Sequence, residues 1–295
     1  MTTILVTGGA GQLATAMVQE GGHAVRRIGR PEFDFDRPAA IAACVAAVRP
    51  GIMVNAAAWT AVDAAEADPV AAGRANRDGP ATLAALCADA GIPLIHVSTD
   101  YVFDGAKGTP YVESDPTSPT GVYGATKLEG EQAVLAACPR AIVLRTSWVY
   151  SAAGKNFVRT MLGAALKTDR LRVVADQQGC PTSARDLAAG ILAIVARLRE
   201  GWQDGYAGVF HAAGAGSTTW HGLAGAVFED AKLHGHPVPA VDAIATADWP
   251  TPARRPPDSR LDCTRLHQVF GVRLPDWRAS VTRTVAELLS APPRP

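Results

Sequence analysis

Tyr123-Gly-Ala-Thr-Lys127 holds the two side chains in this sequence best placed to share a chemical task. Four residues apart on a helix, they fall on one face, so a phenol and an ammonium can point into one cleft. A free tyrosine titrates at about 10 and is a poor acid or base at neutral pH. A neighbouring cation favours the phenolate, and a shift of ~3 units corresponds to ~4 kcal/mol of differential interaction. A phenol tuned that way suits general acid–base work. The pair also arises by chance on many solvated helices, so the elements that position it decide its meaning.

Residues 3–7 form a short apolar, β-branched run that ends in Gly8-Gly-Ala-Gly11, and residues 12–20 read as the helix that follows. Gly8, Gly11 and Ala14 are small where a turn must be tight, where a pyrophosphate must approach a helix N-terminus, and where helix must meet sheet. In that strand–loop–helix context the glycine-rich turn predicts dinucleotide binding. Further strands are expected over residues 24–28, 52–55, 94–98 and 141–146, with helices over 39–48, 69–90 and 123–137. Asn55-Ala-Ala57-Ala58-Trp59-Thr60 follows the third strand, its small residues suited to close cofactor approach or to tight helix–sheet packing. Val97-Ser-Thr99-Asp100 ends the fourth, which sets Thr99 at the same sheet edge as Tyr123 and makes it a candidate for a shared oxyanion site.

Alternating helices and continuously apolar strands predict an α/β protein: a Rossmann-type doubly wound parallel sheet. After about Trp148 the pattern loosens into helices at 156–166 and 186–199 between Gly- and Pro-rich loops. The expected organisation is a nucleotide-binding domain over residues 1–147, with later segments crossing back onto its sheet, and a smaller, mixed α/β substrate domain over 148–295. No internal repeat is evident, and 291–295 form a Pro-rich tail.

Composition narrows the partners. Of 295 residues 48% are hydrophobic, and 28 Lys+Arg balance 28 Asp+Glu, so there is neither basic excess nor stripe for nucleic acid or anionic membrane. No apolar run reaches the ~20 residues of a membrane span, and the chain enters a strand at once, without signal-peptide character. Five dispersed cysteines read as reduced thiols, which predicts a cytoplasmic protein. Cys180, between Gly179 and Pro181, is expected in a turn facing the active site, as a passive small residue.

Together the glycine-rich turn, Asn-Ala-Ala, the Ser-Thr-Asp strand end and Tyr-x-x-x-Lys resemble the extended short-chain dehydrogenase/reductase family. Val97–Gly105, Pro119–Glu131, Leu144-Arg-Thr-Ser-Trp-Val-Tyr150, Asn156-Phe157 and Pro252–Leu261 narrow the resemblance to its branch of 4-keto reductases acting on dTDP-linked deoxysugars, and extend it over nearly the whole chain. The resemblance implies that NADPH delivers hydride to the keto carbon of dTDP-6-deoxy-L-lyxo-4-hexulose, forming dTDP-L-rhamnose. Tyr123 would donate the proton, Lys127 would hold the nicotinamide ribose, and Thr99 would bond the developing alkoxide. Gly8, Gly11, Gln12, Leu13, Ala57, Ala58, Trp59, Thr60 and Val97 would line the cofactor. Asp100, Trp148, Asn156 and Arg254 would meet the sugar nucleotide, with Arg255 and Arg260 further candidates for its diphosphate. Another nucleotide-sugar reductase or epimerase, or a non-catalytic NADP-binding regulatory subunit, are the alternatives; intact Thr99, Tyr123 and Lys127 weigh against the last.

Two departures from the pattern matter. Some members join subunits through magnesium held by glutamates, but Ala16 and Arg185 stand at two of those positions and only Glu287 remains. An arginine cannot ligate Mg²⁺, so no metal site and no metal-bridged dimer are expected. After the second strand, Gly29-Arg30 replaces the acidic residue that repels a 2′-phosphate. Arg30 therefore predicts NADPH over NADH, with Asp34-Phe35 framing the adenine.

Overall fold

The computed structural model describes residues 3–290; the Pro-rich tail expected at 291–295 lies outside the described residues. Five strands of the first half, β1 (Ile4–Thr7), β2 (Val25–Ile28), β3 (Ile52–Asn55), β4 (Leu94–Thr99) and β5 (Ala141–Thr146), pair in parallel. Between them run α1 (Gln12–Gly21), α2 (Pro38–Val48), α3 (Val62–Ala67), α4 (Pro69–Gly73), α5 (Gly79–Asp89) and α6 (Val122–Ala137). The second half comprises β6 (Val149–Tyr150), α7 (Phe157–Ala165), β7 (Arg170–Val174), β8 (Gln178–Gly179), β9 (Thr182–Ser183), α8 (Ala184–Glu200), β10 (Gly208–His211), β11 (Thr218–Thr219), α9 (Trp220–Leu233), β12 (Ala240–Ile244), α10 (Thr264–Phe270) and α11 (Trp277–Ser290).

The six-stranded sheet runs β10-β5-β4-β3-β1-β2. Its order reverses between β1 and β3, and in open α/β sheets the crevice beyond the strand ends at such a switch point is where ligands bind. Alternate side chains point to opposite faces. Ile4, Val6, Ile52 and Val54 therefore meet α1 and α8 on one side, while Leu5, Met53 and Val143 meet α2 and α5 on the other. Burial on both faces explains why these strands read as unbroken apolar runs. β10 and α8 both come from the second half of the chain; β10 pairs with β5 in parallel. A separate core gathers Val158 and Leu162 of α7, Val227 and Phe228 of α9, and Val281 and Val285 of α11.

The single helix expected over 69–90 is interrupted. Residues Arg74–Asp78 form a π-helical segment between α4 and α5, and its buried Asn76 is the physical reason. The Asn76 amide accepts from Trp59 N at 2.8 Å and donates to Trp59 O and to Thr126 Oγ1 at 3.2 and 3.1 Å. The wider turn aims that amide at the loop after β3 and at α6, tying the cleft wall to the helix that carries Tyr123.

Candidate active site

One cleft of ≈ 1170 Å³ lies across the C-terminal ends of β1, β3, β4 and β5. It exceeds the ~300–1,000 Å³ usual for one drug-sized ligand, which leaves room for a dinucleotide and a second molecule end to end. Gly8, Gly11, Gln12, Leu13, Arg30, Asp34, Phe35, Ala57, Ala58, Trp59, Thr60, Val97, Thr99, Asp100, Tyr123, Lys127 and Trp148 all line it. Asn156 and Arg254 do not.

The floor has the chemistry for a pyrophosphate. Gly8 adopts φ +106°, and a Cβ there would stand 3.0 Å from Ala56 O, so only glycine lets β1 and β3 end this close together. Gly11 opens α1 with no side-chain cap, which leaves first-turn amides and the positive end of the helix dipole for an anion. At the other end of the cleft, the buried Thr146 hydroxyl has no protein partner, and it is free for a polar group such as a carboxamide. These features fit a bound nicotinamide dinucleotide.

α6 places Tyr123 and Lys127 one turn apart, and the end of β4 at Thr99, with the 3-10 turn that Asp100 opens, lines the same cleft. The Thr99 hydroxyl donates to Asp100 Oδ1 at 3.1 Å, and Ser147 Oγ donates to Asp100 Oδ2 at 3.1 Å. Thr99 therefore reaches a substrate oxygen as a donor only by turning from that carboxylate. Burial pushes Asp100 up to about 6 despite the Ser259, Ser147 and Thr99 hydroxyls that stabilise its charge.

The expectation that Lys127 lowers the Tyr123 pKa is not met by the chain alone. Desolvation by the packed cleft wall pushes the phenol up to about 12, with the Thr99 hydrogen bond opposing and the Asp100 charge adding to the rise. Lys127 is itself 2% exposed. Its ammonium is turned to Val97 O at 2.6 Å, and desolvation lowers it to about 8, partly offset by Glu131. Desolvation of the phenol therefore outweighs what the neighbouring ammonium offers. Glu131 is held in turn by Arg145 and by Ser98, at 2.7 and 2.5 Å.

Two tryptophans form the far end. Trp148 and Trp220 stack with ring centroids 3.6 Å apart and planes 9° from parallel, both facing the cleft. Trp148 adopts φ +47°, a left-handed conformation costing ~1–3 kcal/mol for such a residue, and the stack returns ~0.5–1.5 kcal/mol. Trp220 Nε1 donates to Gln177 Oε1 at 3.1 Å, fixing the second ring.

Three expected placements change. Asn156 is a buried helix cap: its Oδ1 accepts from Arg159 N, and its amide donates to Gln12 Oε1 and Ser151 O. Asn156 therefore shapes the loop beside the cleft and does not face it. Arg254 is exposed outside the lining, while Arg255 pairs with Asp63 and Arg260 with Asp258. Cys180 points into a core with Val102, Phe103 and Tyr111, where burial pushes its thiol up to about 11. The other four cysteines are also free.

At the opposite end, exposed Arg30 bridges Asp34 and Asp36 at 3.1 and 3.3 Å, and Arg74 pairs with Asp36 at 3.0 Å. The Phe35 ring packs directly on Gly79. Arg74, Thr146, Lys155 and Trp220 also line the cleft, and sequence reading did not single them out. Thr146 sits inside the Arg-Thr-Ser-Trp run and was within reach; Arg74 and Trp220 arrive from distant segments with no local signal. Among the described residues no group of three or more His, Cys, Asp or Glu could hold a metal ion. At the positions considered for magnesium, Arg185 pairs with Glu20 at 2.9 Å. No helix among the described residues is long and apolar enough to cross a membrane.

Comparison with known proteins agrees with this geometry. The family described as RmlD substrate binding domain matches residues 1–290. A dTDP-4-dehydrorhamnose reductase of Sinorhizobium fredii is 46% identical over 289 residues, 97% of each chain. A Streptomyces antibioticus protein named as a probable dTDP-4,6-dihydroxy-2-methyloxan-3-one 4-ketoreductase is 42% identical, over 97% of this chain and 96% of its own. The crystal structure of a dTDP-4-dehydrorhamnose reductase from Bacillus anthracis in complex with NADP superposes with a TM-score of 0.89 at 29% identity, covering 97% of this chain and 99% of that one.

Proposed function

This chain belongs to the dTDP-4-dehydrorhamnose reductase family, and from that premise we propose that it reduces the 4-keto group of dTDP-4-dehydro-β-L-rhamnose to give dTDP-L-rhamnose, using NADPH. The observation that carries the reading is the meeting of Thr99, Tyr123 and Lys127 with the Trp148–Trp220 stack at one end of a cleft whose other end is built for a dinucleotide. The nicotinamide, when bound, supplies the hydride.

Tyr123 supplies the proton. A phenol held up to about 12 stays protonated at neutral pH, which is the state a reduction needs, and an alkoxide forming beside it is basic enough to take the proton. Lys127, mostly ammonium at neutral pH, stabilises the phenolate left behind. Thr99, released from Asp100, donates to the same oxygen where charge develops. Both faces of the Trp148 indole are taken, by Trp220 and by Gly179, so what it offers the apolar side of a deoxysugar is its edge. Arg30 supports NADPH, since a 2′-phosphate can replace Asp36 as its partner.

The Streptomyces antibioticus relative favours a second reading, a 4-keto reductase for a different dTDP-linked sugar. Purified protein should oxidise NADPH with dTDP-6-deoxy-L-lyxo-4-hexulose and release dTDP-L-rhamnose, identified by chromatography. Turnover only of another dTDP-4-keto sugar would move the assignment to that second reading, and turnover of none would end both.

A further inference from the structure

Beneath Lys127 lies a line of polar side chains that this chemistry does not use. Thr7 ends β1, Asn55 ends β3 and His96 lies within β4, three neighbouring strands. All are fully buried. Thr7 Oγ1 donates to Asn55 Oδ1 at 2.6 Å, Asn55 Nδ2 stands 2.9 Å from His96 Nδ1, and His96 Nε2 stands 3.5 Å from Lys127 Nζ.

The far end of this line fixes the direction of each bond. The backbone N–H groups of Ala56 and Ala57 both donate to Thr7 Oγ1 at 3.1 Å. A hydroxyl that already accepts twice directs its one proton outward, to Asn55. Ala57 N also reaches Asn55 Oδ1 at 3.3 Å, so a flipped amide would set its NH₂ against that N–H and strand the Thr7 proton. The amide nitrogen therefore donates to His96 Nδ1, which must be unprotonated. Burial and the Lys127 charge hold the imidazole neutral, and its proton sits on Nε2.

We infer that the backbone amides of Ala56 and Ala57, at the cleft floor, lock His96 as the Nε2–H tautomer through Thr7 and Asn55, and that His96 acts as a positioning residue presenting a donor to Lys127. The inference rests on the reductase reading for its catalytic meaning. An ammonium has three donors and no acceptor; it gives one to Val97 O and gains nothing from a facing N–H. A neutral amine donates to Val97 O and accepts from His96. His96 thus favours the lysine that has released its proton.

Other groups around Lys127 are accounted for. Glu131, one turn on in α6, favours the ammonium and is itself paired with Arg145 of β5. Tyr123 lies one turn back, with Asp100 beside it. On the elements packed outside α6, Arg77 pairs with Asp78 and Glu129, Asp63 pairs with Arg255, and Glu66 accepts from Val122 N. Desolvation and the facing N–H act together to bring Lys127 into the working pH range.

The test uses full-length protein with ¹⁵N-labelled histidine and ¹³C-labelled lysine. Nitrogen–proton correlation spectra of the wild type should show His96 protonated at Nε2. Asn55→Asp is nearly isosteric: its carboxylate keeps the bonds from Thr7 and Ala57 and requires His96 to donate from Nδ1, which turns the Nε2 lone pair to Lys127. The tautomer should invert, and the Lys127 titration midpoint should rise by at least about one to two pH units, the size expected for gaining an acceptor for a charged donor, with the charge of the new carboxylate adding to it. The alkaline limb of kcat should follow. Wild-type His96 protonated at Nδ1 overturns the inference without any variant, and an inverted tautomer with an unmoved lysine overturns the coupling. Failure of the reductase reading looks different: an Nε2–H histidine in a protein that turns over no keto sugar.

Discussion

Gly179 lies flat against the indole of Trp148. A Cβ built on the glycine would stand 2.4 Å from Cε2 of the ring, so β8 acts as a backing plate that keeps Trp148 stacked on Trp220. Gly179→Ala should push Trp148 into the cleft or off its partner. The expected result is a rise in KM for the sugar nucleotide of ~10-fold or more, since a misplacement of about 1 Å can cost ~100-fold. NADPH affinity, measured by fluorescence titration, should stay near wild type. An unchanged KM would show that the stack does not shape the sugar site.

Tyr123→Phe removes one oxygen and leaves the ring's edge-on contact with Tyr101, at 5.7 Å between centroids. Single-turnover hydride transfer should slow by ~10²–10⁴-fold, the range for a lost general acid, with cofactor binding nearly intact. Retention of more than about a tenth of the wild-type rate would remove Tyr123 from the proton step.

Asp100 carries a stability signature. Its folded pKa of about 6 lies above its ordinary 3.8, so between those values the folded protein keeps a proton that the unfolded chain has lost. Stability therefore falls as pH rises through that window, by about 3 kcal/mol for a shift of this size. Asp100→Asn carries no such penalty. Urea unfolding should show the variant gaining on the wild type by up to about 3 kcal/mol between pH 4 and 6, and a difference independent of pH would contradict the buried charge.

Arg30→Ala addresses cofactor choice. One charge-assisted contact is worth ~1.5–3 kcal/mol, so the wild type should prefer NADPH in kcat/KM by roughly 10- to 150-fold. The variant should lose much of that gap, and Arg74→Ala, whose guanidinium shares Asp36 with Arg30, should lose part of it. Equal wild-type use of both cofactors would place the arginine elsewhere.

Arg185 pairs with Glu20 at 2.9 Å, and an arginine cannot ligate Mg²⁺, so we expect no metal-bridged dimer. Activity should survive EDTA, and light scattering should give the same mass with and without Mg²⁺. A dimer that dissociates only on chelation would refute this.

Local sequence carried much of the architecture and unevenly much of the site. Strands buried on both faces, a glycine turn between strand and helix, and an i, i+4 Tyr–Lys pair are local patterns, and each stands where its pattern implied. What escaped depends on residues distant in sequence. Asn76 breaks a helix because Trp59 and Thr126 need its amide, and Trp220 joins the cleft through a stack spanning the second half of the chain. Asn156 carries polar groups suited to a sugar, yet a helix start consumed them. The raised Tyr123 pKa has the same origin: proximity of Lys127 is visible in spacing, but desolvation is set by everything packed around both.

The pairing of β10 with β5 and the packing of α8 over α1 bear on how the chain is made. A nascent chain that has reached residue 147 holds five sheet strands, but the groove over Leu13, Ala14 and Met17 awaits Leu187, Ile191 and Ile194, and the β5 edge awaits residues 208–211. At ~5–20 residues per second, synthesis through residue 211 takes about 3 to 13 s more. Throughout that interval the half that cradles the nucleotide exposes an apolar helix face and an unpaired strand edge, both invitations to chaperones or to aggregation. A message truncated near the midpoint would therefore yield an insoluble fragment, although it encodes Tyr123, Lys127 and the whole glycine-rich turn.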